Sequence, residues 1–444
     1  MQHWVHQRHI DPQRSRWEES QERLAIAAQK AATVRKVLAE AAAQGSWTSI
    51  LLIYAMGVLG AATISQVVPI VGDIVQVFHA ASYAGWIVSS PSALVAVGAL
   101  MTGSLVDRVG DKPILILGSV TVVAGDLGVA AAPSFAWLLG MRLVQGVGYV
   151  CISVAAIAMM TRITQGSRRN VALTLWSSYI PMSFAVPLLL VSQLAGTGEW
   201  RWAFYGHAIT LGALLLFALV QLPGGQLAQQ VGPALTGLKI VLRSPALYLL
   251  GLTFASASFV QTGVLSVLPQ VLARNYGISI GVASLVGVVG MMFKASGCLA
   301  VGTLLNRGTG PIAIATAGVL LSIAGGSALG CLLPGYFTAA LVACLFFFGA
   351  GLVVGLWALV PLAAPSRETV GVASGMVTQV TLWGVLFGPP AAFAAIAPGN
   401  WLWEGVNITL GGLTILMSIV LVTRLVGRTV MAEGFSGAQV RSAH

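Results

Sequence analysis

Charge is what this 444-residue sequence has least of: its 23 Lys and Arg and 13 Asp and Glu make up 8% of the chain, where a soluble domain carries roughly a quarter. The shortage is sharper than the average says, because 12 of those residues fall within 1–47, leaving 24 for the rest. A body so poor in charge cannot clothe itself for water. With 57% hydrophobic residues and a mean hydropathy of +0.88, soluble enzymes, nucleic-acid-binding proteins and secreted disulfide scaffolds are excluded.

Other scarcities narrow the field further. Four cysteines (Cys151, Cys298, Cys331, Cys344) stand singly in apolar stretches, so neither a disulfide framework nor a zinc site is expected. Six histidines (3, 6, 9, 79, 207, 444) form no cluster that would serve an intramembrane enzyme, and His3, His6 and His9 read as a solvated tail. No Lys belongs to a G-x-x-x-x-G-K-[ST] phosphate loop, which argues against a nucleotide-driven pump. No metal or cofactor is expected. The net charge of +10 includes no basic run longer than Arg168-Arg169 and so does not point to nucleic acid. The polar N-terminus does not read as a cleavable signal, and the first apolar run is expected to insert uncleaved.

What is present is apolar length. A span needs about 20 mostly apolar residues, and the chain offers twelve: 49–77, 84–106, 113–132, 135–161, 170–195, 202–222, 246–273, 279–304, 311–333, 336–362, 370–396 and 402–425. Cytoplasmic loops should hold the Lys and Arg excess. With the N-terminus inside, twelve basic residues after position 47 fall inside, from Arg108 and Lys112 to Arg428 and Arg441. Arg201 and Arg274 fall outside, and Arg142 and Lys294 lie within spans. The expected fold is an all-α membrane protein of twelve helices with both termini cytoplasmic. Its parts are an extension (1–47), a six-helix bundle (48–222), a linker (223–245), a second bundle (246–428) and a tail (429–444).

The halves repeat in parallel. The break after span 2 reads Gly103-Ser-Leu105-Val-Asp107-Arg108-Val-Gly110-Asp-Lys112-Pro113, and the break after span 8 reads Gly302-Thr-Leu304-Leu-Asn306-Arg307-Gly-Thr-Gly310-Pro311. Each closes the second span of its half, as two bundles related by an axis along the membrane normal require. The first string resembles the G-x-L-x-D-R-x-G-x-[KR] signature of the major facilitator superfamily. Arg142-Leu-Val-Gln145-Gly146-Val-Gly148 in span 4 resembles that family's second motif, R-x-x-Q-G-x-G. The resemblance covers about residues 48–428. It implies that Asp107, Arg108 and Lys112, with Gly103 and Gly110 shaping the turn, latch the cytoplasmic face against the start of span 11 near Arg367–Gly371. It also implies a part for Arg142 in proton coupling. Span 5 lacks the G-x-x-x-G-P-x-x-G-G run of proton-driven drug exporters, while a related string, Gly384 to Pro390, stands in span 11.

Charges inside spans cost about 2.5–3.5 kcal/mol each on insertion scales and need a reason. Asp126 on span 3 and Arg142 on span 4 fall at similar depth, as a mutually neutralising pair or a coupling site. Lys294 sits near mid-depth of span 8 with no acidic residue level with it, which suits an anionic group on a substrate. Gln66, Gln145, Gln261, Gln379, Tyr179, Trp176, Trp357 and Trp383 are further cavity candidates, each with helix packing as the plainer role. Residues 17–43 pattern as a helix with a thin apolar stripe.

The expected function is secondary active transport of a small organic solute by alternating access, proton-coupled, by a monomer in a bacterial inner membrane. Export of a drug-like compound or secreted metabolite is the first reading and uptake of an organic anion held by Lys294 the second. A transporter-like protein with a sensing or assembly role is the third.

Overall fold

The computed structural model describes residues 46–224, 240–329, 333–365 and 370–396. The N-terminal extension, the linker segment 225–239 and the twelfth apolar stretch, 402–425, lie outside them. Among the described residues every element is helical. Among the described residues seven helices are long and apolar enough to cross a membrane on length and composition alone, and two shorter apolar helices, Tyr179–Leu194 and Ala313–Leu329, accompany them.

Local chemistry sets the ends. Ser46, Ser134 and Ser279 cap spans 1, 4 and 8, each side-chain oxygen accepting the backbone N–H three residues on. Span 2 (Ala84–Val109) stops at Gly110, whose φ of 97° suits glycine alone, and span 3 (Asp111–Ala130) starts directly after it. Three spans are broken among the described residues, one of them span 10, which passes from Tyr336–Gly355 through a 3₁₀ turn at Leu356–Leu359 to Val360–Ala363. Span 1 runs Trp47–Ser65, passes a 3₁₀ turn at Val68–Ile70 containing Pro69, and resumes as Val71–Val77. Span 5 is split into Gly166–Ser177 and Tyr179–Leu190, with Pro181 and Pro187 in the second piece.

The repeat is visible in packing. In the first half Gly118 on span 3 lies against Gly148 on span 4 (Phe135–Ile163); in the second, Gly318 on span 9 (Pro311–Leu329) lies against Gly349 on span 10 (Tyr336–Gly355). In lipid there is no hydrophobic drive between helices, so close approach through small residues is what holds them. Between the halves, span 2 packs on span 11 (Val370–Ala395), where Gly85 meets Pro389 and Pro390. Span 5 packs on span 8 (Ile280–Asn306) through Leu188 and Gly287. The Gln270 amide of span 7 (Pro245–Tyr276) donates to the Val68 carbonyl at 2.7 Å. These contacts gather at the end opposite the Gly103–Lys112 loop. Toward that loop Gly98 and Gly103 face open space and Met101 is 75% exposed.

The span 3–span 4 seam gives a stability test. A side chain at Gly148 would strike the Gly118 carbonyl, so Gly148→Leu should cost about 1–3 kcal/mol or more by overpacking, read as a lower melting temperature in detergent. Gly140→Ala, which faces open space, should leave it unchanged.

Candidate functional site

A buried polar network forms where spans 1, 2, 3, 4 and 6 meet, and helix breaks generate it. Pro91 in span 2 has no N–H to give to the Ile87 carbonyl, and the end of span 1 at Ser65 frees the Thr63 carbonyl. Arg142, fully buried on span 4, reaches across to fill these gaps. Its Nε donates to Ile87 at 3.0 Å, and its terminal nitrogens donate to Thr63 at 2.5 Å and Val88 at 3.1 Å. Gly146, one turn on, is pressed against the Pro91 carbonyl, which lets span 4 come this close.

Arg142 also donates to Gln145 Oε1 at 2.6 Å, and Gln145 Nε2 donates to Asp126 Oδ1 at 2.6 Å. The acid and the base of the sequence-level pair therefore meet through an amide and not directly. Gln66, at the break in span 1, donates to the same Asp126 oxygen at 3.2 Å, while its own Oε1 has no partner among the described residues. The other Asp126 oxygen lies 2.7 Å from Nδ1 of His207 on span 6 (Arg201–Gln221), whose Nε2 lies 2.9 Å from the Leu59 carbonyl. His207 belongs to no histidine cluster and makes its contacts singly. The signal was a lone imidazole inside an apolar run at the depth of Asp126.

A cavity of about 70 Å³ lies between the halves. Lys294 of span 8 lines it, with Tyr149 of span 4, Ser183 of span 5, and Ser258, Gln261 and Thr262 of span 7; the remaining wall is aliphatic and aromatic. Lys294 is 7% exposed and its ammonium makes no hydrogen bond or ion pair among the described residues. Tyr149 was not singled out in the sequence, where it reads as ordinary core. Gln261 donates to the Ala350 carbonyl at 3.4 Å.

The other candidates stand away from the cavity. Gln379 donates across the half interface to the Val97 carbonyl at 3.4 Å. Trp383 stacks on Phe387, which meets Trp86 edge-on. Trp176 stacks on Tyr179, and Trp357 packs on Phe254 within the second half.

At the loop after span 2, Arg108 is exposed and Lys112 donates to the Leu219 and Leu222 carbonyls at 3.0 and 2.7 Å, closing the end of span 6. Asp111, passed over in the sequence, accepts two hydrogen bonds from Arg162 of span 4 at 2.6 and 2.9 Å. The Asp107 side chain and the stretch 366–369 lie outside what is described.

Comparison with known proteins follows the same lines. The family model of the Major Facilitator Superfamily matches residues 50–389. An uncharacterized MFS-type transporter, Rv1250 of Mycobacterium tuberculosis, is 30% identical over 120 residues, 27% of this chain and 21% of that protein. The galactose-proton symporter of Escherichia coli is 31% identical over 138 residues, 31% of this chain and 30% of that one. The azole resistance protein 1 of Saccharomyces cerevisiae is 26% identical over 159 residues, 36% and 26% of the two chains. The chain thus aligns with less than a third of the length of each of these relatives. Among solved structures, a bacterial homologue of the human lysosomal transporter Spinster superposes with a TM-score of 0.64 at 18% identity, over 87% of this chain and 99% of that one. The human organic anion transporter MFSD10 gives 0.63 at 18% identity, over 84% and 98%.

Removing the arginine tests the network. Arg142→Gln strands three carbonyls and the Asp126 charge, and should cost about 3–5 kcal/mol, seen as a large fall in thermal stability in detergent. Arg142→Lys keeps the charge without the planar fork and should fall between the two.

Proposed function

Because this chain belongs to the Major Facilitator Superfamily, we propose that it is a proton-coupled secondary transporter that exports a small, largely apolar organic compound bearing an acidic group. The observation that carries this reading is Lys294, without a hydrogen bond or ion pair among the described residues, in a cavity between the two halves whose wall is mostly apolar. A buried cation without a protein partner favours an anionic group brought in by the ligand, while the aliphatic wall favours an apolar body over a sugar ring. Tyr149, Ser183 and Gln261 would orient the polar end.

Helix rocking supplies the cycle. With the basic loops inside, the gathering of inter-half contacts at the far end corresponds to an inward-open arrangement. Rocking the bundles about spans 2, 5, 8 and 11 would open the opposite end, and Asp107, Arg108 and Lys112 would then close the cytoplasmic face against the start of span 11. The Asp126–Arg142 network, buried in the first bundle, is the proposed seat of the coupling proton. The bacterial inner membrane and a monomeric unit complete the proposal.

The same lysine favours a second reading, uptake of a small organic anion with Lys294 as carboxylate partner. Proteoliposomes separate the two. A proton gradient imposed from outside should drive accumulated solute out under the first reading and draw it in under the second, and flux indifferent to collapse of the gradient would sink proton coupling in both. Lys294→Ala should weaken binding of the transported solute about 10- to 100-fold, the worth of a hydrogen bond to a charged group. Unchanged binding would remove the anion site.

A further inference from the structure

The contact between Asp126 and His207 joins span 3 to span 6 and involves a residue that neither sequence motif contains. We propose that this contact is a one-proton binding site, and that the proton held there ties span 6 to spans 1 and 3. Its part in transport rests on the proton-coupled reading above, while the site itself stands on a count of hydrogens.

Both ring nitrogens of His207 face acceptors: Asp126 Oδ2 at 2.7 Å and the Leu59 carbonyl at 2.9 Å. A neutral imidazole has one N–H and an ionised carboxylate has none. With Asp126 ionised and His207 neutral, one of the two contacts therefore sets lone pair against lone pair. One added proton satisfies both. It resides on the ring, which then donates to Asp126 and Leu59 together, or on the carboxyl, which then donates to Nδ1 while Nε2–H donates to Leu59. The second Asp126 oxygen already accepts from Gln145 and Gln66, so the exchanging proton is confined to the Oδ2–Nδ1 line.

Neighbouring charge opposes the proton that this geometry invites. Span 4 presents Arg142, with the Tyr149 phenol two turns on at the cavity wall, span 1 presents Gln66 and carbonyls, and span 2 presents carbonyls. Without the added proton Arg142 and Asp126 cancel; with it the buried cluster carries a net positive charge, which desolvation disfavours. Hydrogen bonding draws the proton in and charge pushes it out, the balance a site needs in order to load and unload. An ion pair with only a bracing role lacks that opposition. Release would cost span 6 one of its two contacts, to Leu59 or to Asp126, and Gln145 would pass the change to Arg142 and the carbonyls it holds on spans 1 and 2.

Infrared difference spectroscopy of the full-length protein in lipid nanodiscs, stepped from acid to alkaline pH, tests the site with the proton itself as probe. The bands abolished by Asp126→Asn and those abolished by His207→Gln should share one midpoint in the unsubstituted protein. In His207→Gln the Asp126 bands should move to a new midpoint, a change of about tenfold or more in proton affinity. Nitrogen-15 histidine spectra of the unsubstituted protein give the same test without a variant: His207 should change protonation or tautomer at the Asp126 midpoint. Separate midpoints, or an Asp126 midpoint unmoved by His207→Gln, would overturn the site. A shared midpoint together with gradient-independent flux would keep the site and discard the coupling reading. Separate midpoints with gradient-driven flux would do the reverse.

Discussion

Everything in the first bundle hangs on backbone carbonyls that the helices cannot satisfy for themselves. Lipid offers no hydrogen bonds, so each carbonyl freed by a proline or a helix end must find a donor within the protein. Pro91 frees the Ile87 carbonyl, and Arg142 fills it. Pro187 frees the Ser183 carbonyl, and the Ser65 hydroxyl fills that one. The break at Pro69 is stitched from the other half by Gln270, which donates to Val68. The polar groups buried here are therefore placed by the irregularities of the helices, and the breaks in turn endure because those groups are present.

This construction puts the network and the cavity on the same helices. Span 4 carries Arg142, Gln145 and Tyr149 at successive turns of one face, the first two in the network and the third on the cavity wall. Span 1 carries Leu59, Thr63 and Gln66 in the network, and Ala61 and Ile64 on the wall. A shift of either helix therefore moves groups of the network and of the cavity wall together, since each element touches both places.

The architecture was legible from composition and charge because lipid imposes simple demands: length for a span, basic residues for an inside loop, a parallel repeat for paired bundles. Depth alone also brought Asp126 and Arg142 to one level, since rise per residue fixes depth along a helix. Azimuth was harder to read. A helix apolar all round gives almost no sign of which face turns inward, so Gln145 appeared as a cavity candidate when it in fact bridges acid to base. Trp383 likewise lies stacked on Phe387 at the surface, 42% exposed. His207 and Tyr149 were passed over for the same reason: their partners are on other helices, at sequence separations that carry no periodic mark.

The repeat also shows where the halves part company. In the first half Gly125 on span 3 faces Gln145 on span 4; at the matching place in the second half Gly325 on span 9 faces Phe346 on span 10. An aromatic ring thus stands where the bridging amide stands, and Phe346 and Phe347 pack edge-on nearby, 5.0 Å apart. The second bundle has exchanged the polar network for a dry seam, and Phe347 of that seam presses against Gly290 of span 8, one turn from the position of Lys294. Lys294 lines the cavity and makes no hydrogen bond or ion pair among the described residues. One fold used twice thus carries a buried titratable network inside the first bundle and a buried lysine on the cavity wall in the second.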